Sequence, residues 1–428
     1  MRFEKHVLKN GLRTIFVPNP GTGTATVLVL VRTGAENEKS TEAGIAHFLE
    51  HVTFKGTKRR PTAMHITEEF DALGAEYNAF TDREMTAYHA KARRAELPKI
   101  IDLLSDIYRH STFPAPELEK EKGVVIEEIN MYDDQPQRVA DSLARTALLG
   151  ETLFGRDIIG TKSTVKGLNR DTVKEFHDLF YTPANTCVVV AGDFDVSDIR
   201  RELEDNFGDM ETLRVPERDK FDPSYFSMGT YKAKKKTGSQ YHVAISFPSF
   251  SYADKERTAT SVLAHMLGGG LGSRLSRVIR EELGAAYYVY SYQDSRSDYG
   301  TFEIRAGLSK DKLTDALAGI GREMKNLLSG EWDEAELTRA KHSLSGNLSL
   351  GLETSDALGL YFGTQEILRR PLVTPEEKIA EIFSLTKKDI VHSARSVFAM
   401  ERFSMSVVGP TASAKALASA VKKGFSEA

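Results

Sequence analysis

Two histidines and one glutamate fall at helical spacing in a single short stretch of the chain, at His47, Glu50 and His51. At about 100° per residue, His51 lies about 40° around a helix from His47, and Glu50 lies about 60° in the other direction. The three side chains therefore share one helical face. Two neutral imidazoles on consecutive turns can bind one Zn²⁺, and a catalytic zinc site needs one further protein ligand and a water. The spacing predicts that Glu50 lies beside that water.

The residue order H-x-x-E-H reverses the H-E-x-x-H order of zincin helices and is the inverzincin signature. The chain has 11 histidines in 428 residues, and composition alone predicts this pattern about 0.02 times in a chain of that length. The alternative interpretation is a partly exposed amphipathic helix with incidental histidines. The rarity of the pattern favours a metal site.

A predicted helix over residues 117–132 offers three acidic candidates for the third ligand, Glu121, Glu127 and Glu128. Glu121 and Glu128 share a helical face but lie about 10 Å apart along the axis, so only one of them can bind the metal directly. Glu127 points about 100° away from Glu128. Spacing leaves the choice open, and a solvated helix face is the alternative interpretation of these acids.

Length and composition describe an ordinary globular protein with more than one domain. The chain length predicts about two to four domains, and 40% hydrophobic with 28% charged residues is typical of folded proteins. A net charge of −4 argues against general nucleic-acid binding. The single cysteine, Cys187, excludes an intrachain disulfide and fits a reducing compartment. Because no stretch resembles a membrane span or a signal peptide, we expect a cytoplasmic protein without a membrane partner.

Residue patterns predict strands and helices around the histidine motif. A hairpin closed at Asn10 and Gly11 precedes a β-branched strand over residues 24–31, and a polar loop leads to a helix that begins at Thr41 or Glu42. The other predicted elements are a helix over 62–73 with Pro61 at its first position, a strand or hairpin over 76–92, helices over 97–108 and 117–132, and a strand over 186–191.

The second half of the chain echoes the first. Residues 46–51 are echoed by 264–269, and residues 74–77 by 284–287, which implies two copies of one domain fold, the second without metal ligands. We therefore expect His265 to be structural. The predicted division is an N-terminal zinc-binding catalytic domain over 1–213, a linker over 214–231, and a related C-terminal domain without a metal site over 232–428.

Over nearly its whole length the chain resembles the pitrilysin-like zinc peptidases, and within them the short-chain branch that includes the mitochondrial processing peptidase. The resemblance implies two related α+β domains, each with a mostly antiparallel β-sheet flanked by α-helices. It rests on Asn10 to Leu12, Gly34 to Glu38, His47 to His51, Asn78 to Thr81, Glu121 with Glu128, Tyr181 to Asn185, Gly192 to Phe194, and Arg280 to Tyr287.

The resemblance also implies roles for particular residues. Glu128 is the third zinc ligand, Glu121 is its outer partner, and Glu127 is a bystander. Arg280 and Tyr287 contact the substrate carbonyl region, and Arg280 or Tyr287 stabilises the developing oxyanion. Peptide backbone pairs with an edge strand at three residues, namely Asn78, Ala79 and Phe80. Tyr288 is a departure, because relatives usually carry a small residue there.

The function implied by the resemblance is zinc-dependent hydrolysis of extended peptides or presequence-like segments, with Glu50 as general base. The chain has one zinc domain, so the resemblance further implies a homodimer whose composite sites join the zinc residues of one chain to Arg280 and Tyr287 of the other. The rival hypothesis is a non-catalytic scaffold or partner subunit of the same family. Such members typically lack part of the metal motif or the arginine-tyrosine pair, and this chain retains both.

Overall fold

Two mixed, mostly antiparallel β-sheets, each flanked by helices, make up the fold in a computed structural model that describes residues 2–410 and 413–427. This confirms the predicted α+β class. The strands are β1 Glu4–Val7, β2 Arg13–Pro18, β3 Thr24–Val31, β4 Glu76–Thr81, β5 Thr86–Arg93, β6 Thr186–Gly192, β7 Tyr231–Lys235, β8 Gln240–Ser249, β9 Ala286–Ser295, β10 Gly300–Ser309 and β11 Ser404–Gly409. The helices are α1 Ile45–Thr53, α2 Ala63–Ala72, α3 Leu97–His110, α4 Ala115–Asp134, α5 Pro136–Leu149, α6 Lys162–Gly167, α7 Arg170–Phe180, α8 Val196–Phe207, α9 Arg257–Gly268, α10 Leu313–Ser329, α11 Glu334–Gly351, α12 Ser355–Ile367, α13 Pro375–Ser384, α14 Lys387–Val397 and α15 Ala414–Glu427.

The first sheet has the order β1-β2-β6-β3-β5-β4, so β4 forms one edge. Only the β2–β6 pair in it is parallel. The predicted hairpin is confirmed, since β1 pairs with β2 in antiparallel register and the Leu12 N–H donates to Asn10 Oδ1 at 3.1 Å across the turn. The second sheet has the order β7-β11-β8-β10-β9, with β9 at an edge.

Contacts divide the chain into two compact units that interleave along the sequence. The first comprises the chain up to Ile129, Asp157–Asp219 and Ser349–Pro375; the second comprises Asn130–Arg156, Lys220–Leu348 and the chain from Glu376 onward. The domain boundaries expected at residues 213 and 232 describe the two sequence repeats, and they stay a prediction. The compact units do not follow those boundaries, because α12 packs in the first unit and α5 in the second.

Helix α12 packs on the first sheet because β3 is apolar on both faces. Val27 and Val29 point into one core with α1 and α3, whereas Leu28 and Leu30 point to the opposite face and pack with Phe362 of α12. A strand buried on both faces needs a covering layer on each. Gly359 permits the close approach, since an added Cβ would lie 2.4 Å from Leu28 Cδ1.

The predicted start of the histidine helix at Thr41 or Glu42 is wrong. Residues Ser40–Glu42 form a separate 3₁₀ turn, and α1 begins at Ile45 after Gly44. Gly44 has φ +94°, a left-handed conformation that interrupts the helix, and a Cβ there would lie 2.6 Å from the Ile159 carbonyl oxygen. Helix α2 likewise begins one residue later than predicted, because Thr62 is its N-cap and Pro61 precedes it.

Similar features recur at the echoed positions of the two units, and the repeat itself stays a prediction. Gly74 precedes edge strand β4 with φ +60°, and Gly284 precedes edge strand β9 with φ +56°. Helix α9, which carries His265, lies between β8 and edge strand β9 in chain order, as α1 lies between β3 and edge strand β4, and a π-helical turn over Ser276–Glu282 follows α9. Within the described residues no helix is both long and apolar enough to cross a membrane.

Candidate metal centre

Helices α1 and α4 each bury an apolar face and present polar side chains from the other. In α1 the apolar residues Phe48, Leu49 and Val52 are fully buried in the first core. In α4, Val125 and Ile129 are buried in the same core. The spacing of these apolar residues orients both helices toward the first core, and the remaining faces carry the histidines and acids of the motif.

Three ligand atoms meet between the two helices. The Nε2 atoms of His47 and His51 each lie 3.8 Å from Oε2 of Glu128, and all three atoms lie within 4.8 Å of one another. Tetrahedral zinc with bonds of about 2.0–2.1 Å holds its ligand atoms about 3.4 Å apart. The two histidine–Glu128 separations exceed this spacing by about 0.4 Å, and the atom types are those that zinc prefers, so the donor set fits zinc. Glu127 does not belong to this grouping.

The two histidines have different electrostatic surroundings. Burial, together with neighbouring His51, lowers the pKa of His47 to about 4, so His47 is neutral at neutral pH and keeps a lone pair for a metal. Burial also acts to lower the pKa of His51, but the hydrogen bond with Glu121 and the nearby Glu50 raise it above its usual value. Zinc must therefore compete with a proton at His51.

Glu121 contacts His51 from the side away from the grouping. His51 Nδ1 and Glu121 Oε1 are 2.9 Å apart, an arrangement that orients Nε2 toward Glu128. The second carboxylate oxygen, Oε2, lies 2.7 Å from Nζ of Lys55. Burial acts to raise the pKa of Glu121, but hydrogen bonds with His51 and Lys55 hold it below its usual value. Lys55 was not predicted as a site residue, and it lies two residues beyond the end of α1, so helical spacing gives no signal for it.

Glu50 lies on the same helix and is held by a strand residue. Thr81 Oγ1 donates a hydrogen bond of 2.6 Å to Glu50 Oε2, which leaves Oε1 available to a reactant. Burial raises the pKa of Glu50, and the Thr81 hydrogen bond partly offsets that rise. Thr81 ends β4, so the strand that is predicted to bind substrate also orients the predicted base. Thr81 belongs to a motif that carries the family resemblance, but no role was predicted for it.

We expect the Thr81 hydroxyl to matter for turnover through the orientation of Glu50. Thr81→Val removes the hydrogen bond at nearly constant shape and should lower kcat by about 10- to 100-fold, with zinc content and KM little changed. Thr81→Ser keeps the hydroxyl and should retain most of the activity. Steady-state kinetics with metal analysis on both variants checks this, and equal activity of the two would show that the hydroxyl is not used.

The predicted substrate strand lies at the edge of the first sheet. Asn78, Ala79 and Phe80 of β4 pair with His89, Tyr88 and Ala87 of β5 along one side. The three residues are half-exposed or exposed. In the described part of the chain no strand pairs with the other side of β4. Edge backbone of this kind can pair with an extended peptide.

Arg280 and Tyr287 belong to the second compact unit, whereas the His-His-Glu grouping belongs to the first. Arg280 lies in the π-helical turn with its side chain 46% exposed. Tyr287 lies on edge strand β9 and is 79% exposed. Tyr288, the residue that departs from the family pattern, contacts His242 through a 3.0 Å hydrogen bond. The roles of Arg280 and Tyr287 stay predictions.

Comparison with known proteins identifies the family. The family model described as insulinase (peptidase family M16) matches residues 13–162, and the model described as the peptidase M16 inactive domain matches residues 167–344. The chain belongs to peptidase family M16.

Relatives of this M16 peptidase are named zinc proteases. It is 32% identical to an uncharacterized zinc protease of Streptomyces coelicolor over 94% of this chain and 88% of that protein. It is also 32% identical to an uncharacterized zinc protease of Bacillus subtilis, over 95% and 98% of the two chains. A protease structure from Helicobacter pylori shares the fold with a TM-score of 0.89 at 24% identity, covering 96% and 99% of the chains. Together with the His47, His51 and Glu128 grouping, these findings make the M16 peptidase a zinc protease.

Proposed function

We propose that this M16 peptidase hydrolyses extended peptides or presequence-like segments, with Glu50 as general base. The observation that carries the proposal is that ligand atoms of His47, His51 and Glu128 lie within 4.8 Å of one another. Glu50 shares the face of α1 that carries the two histidines. Two histidines and one carboxylate leave a position open for water and substrate in a catalytic zinc site. When bound, zinc polarises the scissile carbonyl and lowers the pKa of the attacking water.

The chain's own residues then move the proton. Glu50 Oε1, which the Thr81 hydrogen bond leaves free, takes a proton from the attacking water and later delivers it to the leaving amine. Glu121 holds the His51 ring in place through Nδ1, and Lys55 keeps the Glu121 carboxylate ionised. These contacts orient the reacting groups before substrate arrives, which is the condition for effective acid–base catalysis.

The edge of β4 supports an extended substrate. A peptide laid along Asn78, Ala79 and Phe80 adds a strand to the sheet, and its main-chain hydrogen bonds do not depend on side-chain identity. Such binding tolerates many sequences but selects for an extended backbone. We therefore propose unfolded peptides, including presequence-like tails, as the substrate class.

We further propose that the enzyme acts as a homodimer with composite sites. Arg280 and Tyr287 are exposed on the second unit, so they are free to reach a substrate carbonyl beside the zinc residues of a partner chain. A two-fold dimer would then contain two equivalent sites.

A cytoplasmic location is supported by Cys187, which is buried and has no second cysteine to pair with.

A non-catalytic scaffold is the rival hypothesis, and metal analysis separates the two. We expect the purified chain to hold about one zinc and to cleave peptides in a chelator-sensitive way, with activity restored by added zinc. His265→Ala is the matched control, since it removes a histidine of the second repeat and should leave zinc content unchanged. A chain without zinc, or with cleavage that survives complete zinc removal, would contradict the proposal.

A further inference from the structure

A cleft lies in the first compact unit, on elements that carry no metal ligand. Its volume is about 480 Å³, and it is formed by β1, the β1–β2 turn, β2, the segment before β6 and the end of α12. Strands β1 and β4 are at opposite edges of the sheet, so about 24 Å of sheet separates this edge from the β4 edge beside α1. The lining residues are Lys5, Gly11, Arg13, Ala184, Glu366, Arg369 and Arg370.

The lining carries an excess of positive charge. Four of its residues are cationic and only Glu366 is acidic, which gives a net charge of +3. Glu366 is buried and its Oε1 atom is shared, at 2.8 Å from Lys5 Nζ and 3.4 Å from Arg13 Nη1. One carboxylate therefore compensates two cations only in part. Arg370 pairs with Glu84 outside the lining, with Arg370 Nη2 3.8 Å from Glu84 Oε2. The charge that remains for an entering anion is therefore that of Arg369 and part of that of Lys5 and Arg13.

Neighbouring groups add to the positive potential. Burial lowers the pKa of Arg32, and the charges of Arg369, Arg218 and Arg13 lower it further, against an opposing effect of Glu84. Arg13 Nη1 donates to the Glu366 carbonyl oxygen at 3.0 Å. Its Nη2 atom is shielded from solvent and has no hydrogen-bond acceptor among the described residues. An anion that enters the cleft could supply the hydrogen-bond acceptor that this guanidinium lacks.

Arg369 has an unusual backbone for its residue type. It follows the end of α12 with φ +54°, a left-handed conformation that glycine or asparagine usually occupies after a helix. Its side chain is exposed and forms no ion pair with the described part of the chain. An arginine that neither relieves backbone strain nor pairs with a protein group points to a role toward a ligand.

We propose that this cleft binds a small phosphorylated molecule through Lys5, Arg13 and Arg369. The planar guanidinium fork matches two phosphate oxygens at once, and a dianion offsets most of the net charge of the lining. A volume of about 480 Å³ falls within the range of about 300–1,000 Å³ that is typical of small-molecule sites. An organic phosphate therefore fits better than a lone inorganic ion.

Calorimetric titration of the full, zinc-loaded chain with ribose 5-phosphate tests the proposal. Ribose and succinate, at matched ionic strength, are the neutral and dicarboxylate comparisons. We expect ribose 5-phosphate to bind, ribose not to bind, and succinate to bind more weakly. The readout needs no substrate and no turnover, so it is independent of the proposed peptidase mechanism. Absence of ribose 5-phosphate binding at millimolar concentration, or equal affinity for succinate, would overturn the proposal.

Two variants of Arg369 separate binding from folding. Arg369→Gln should weaken ribose 5-phosphate binding about tenfold, because one charge-assisted contact is lost. Arg369→Gly should weaken it equally while the Tm does not fall, because glycine relaxes the left-handed backbone. Arg201→Gln, an equal loss of charge at an exposed position of α8, is the control and should bind as wild type. Equal weakening in Arg201→Gln would assign the effect to net charge and refute the site.

Discussion

Glu50→Gln is expected to lower peptide hydrolysis by about 10²- to 10⁴-fold while zinc content stays at the wild-type level. The substitution removes the group that accepts the water proton and keeps the size and hydrogen-bonding capacity of the side chain. Glu50 is not among the three grouped ligands. Steady-state peptide cleavage and metal analysis on the same preparation measure the two effects. Loss of zinc together with activity would mean that Glu50 holds the metal.

Substitutions of the three acids of α4 are the matched comparison for the zinc content of Glu50→Gln. Glu128→Gln should lose zinc as well as activity, because its Oε2 lies 3.8 Å from both histidine Nε2 atoms. Glu127→Gln makes the same chemical change one residue earlier on α4 and should leave zinc in place. Glu121→Gln should fall between these cases, since it removes the partner of His51 Nδ1. Zinc loss in Glu127→Gln but not in Glu128→Gln would reverse the ligand assignment.

Mixing two inactive variants is expected to restore about a quarter of the wild-type activity. Glu50→Gln removes the base of the zinc unit, and Arg280→Ala removes the proposed oxyanion contact, so each homodimer should be nearly inactive. In an equal, freely exchanging mixture about half the dimers contain both chains, and each of those has one intact site. Activity measured after exchange, with mass-labelled chains to follow that exchange, checks the prediction.

A second mixture controls for this recovery. Glu50→Gln and His51→Ala both damage the zinc unit, so every composite site in their mixture is defective and no activity should return. If exchange is complete and the Glu50→Gln and Arg280→Ala mixture also stays inactive, the site is built within one chain. Recovery in both mixtures would point to contaminating wild-type enzyme.

The sequence by itself determined the parts of the site that depend on local geometry. Helix periodicity is a local property, so the shared face of His47, Glu50 and His51 followed from spacing alone. The same holds for the hairpin at Asn10 and for β3, whose continuous apolar run is typical of a strand buried on both faces. The start of α1 was predicted wrongly, because Gly44 takes a left-handed conformation that residue spacing does not reveal, and its N–H donates to Glu38 Oε2 at 2.8 Å instead of continuing a helix.

The choice among the acids of α4 required information beyond spacing. Periodicity left Glu121, Glu127 and Glu128 open, and the family resemblance selected Glu128. In the structure Glu128 Oε2 faces both Nε2 atoms, while Glu121 contacts His51 from the other side of the ring. Which of two acids on one helix face approaches a metal depends on how α4 lies against α1, and that arrangement is a tertiary property.

Tertiary structure alone decided the contacts between residues distant in sequence. The hydrogen bond from Thr81 to Glu50 joins a strand end to a helix, and the ion pair of Lys55 with Glu121 joins the turn after α1 to α4. The packing of α12 on the first sheet and of α5 in the second unit likewise has no local signal. A local pattern shows that an apolar face must be covered, but the covering element is selected by the free energy of the whole packed chain.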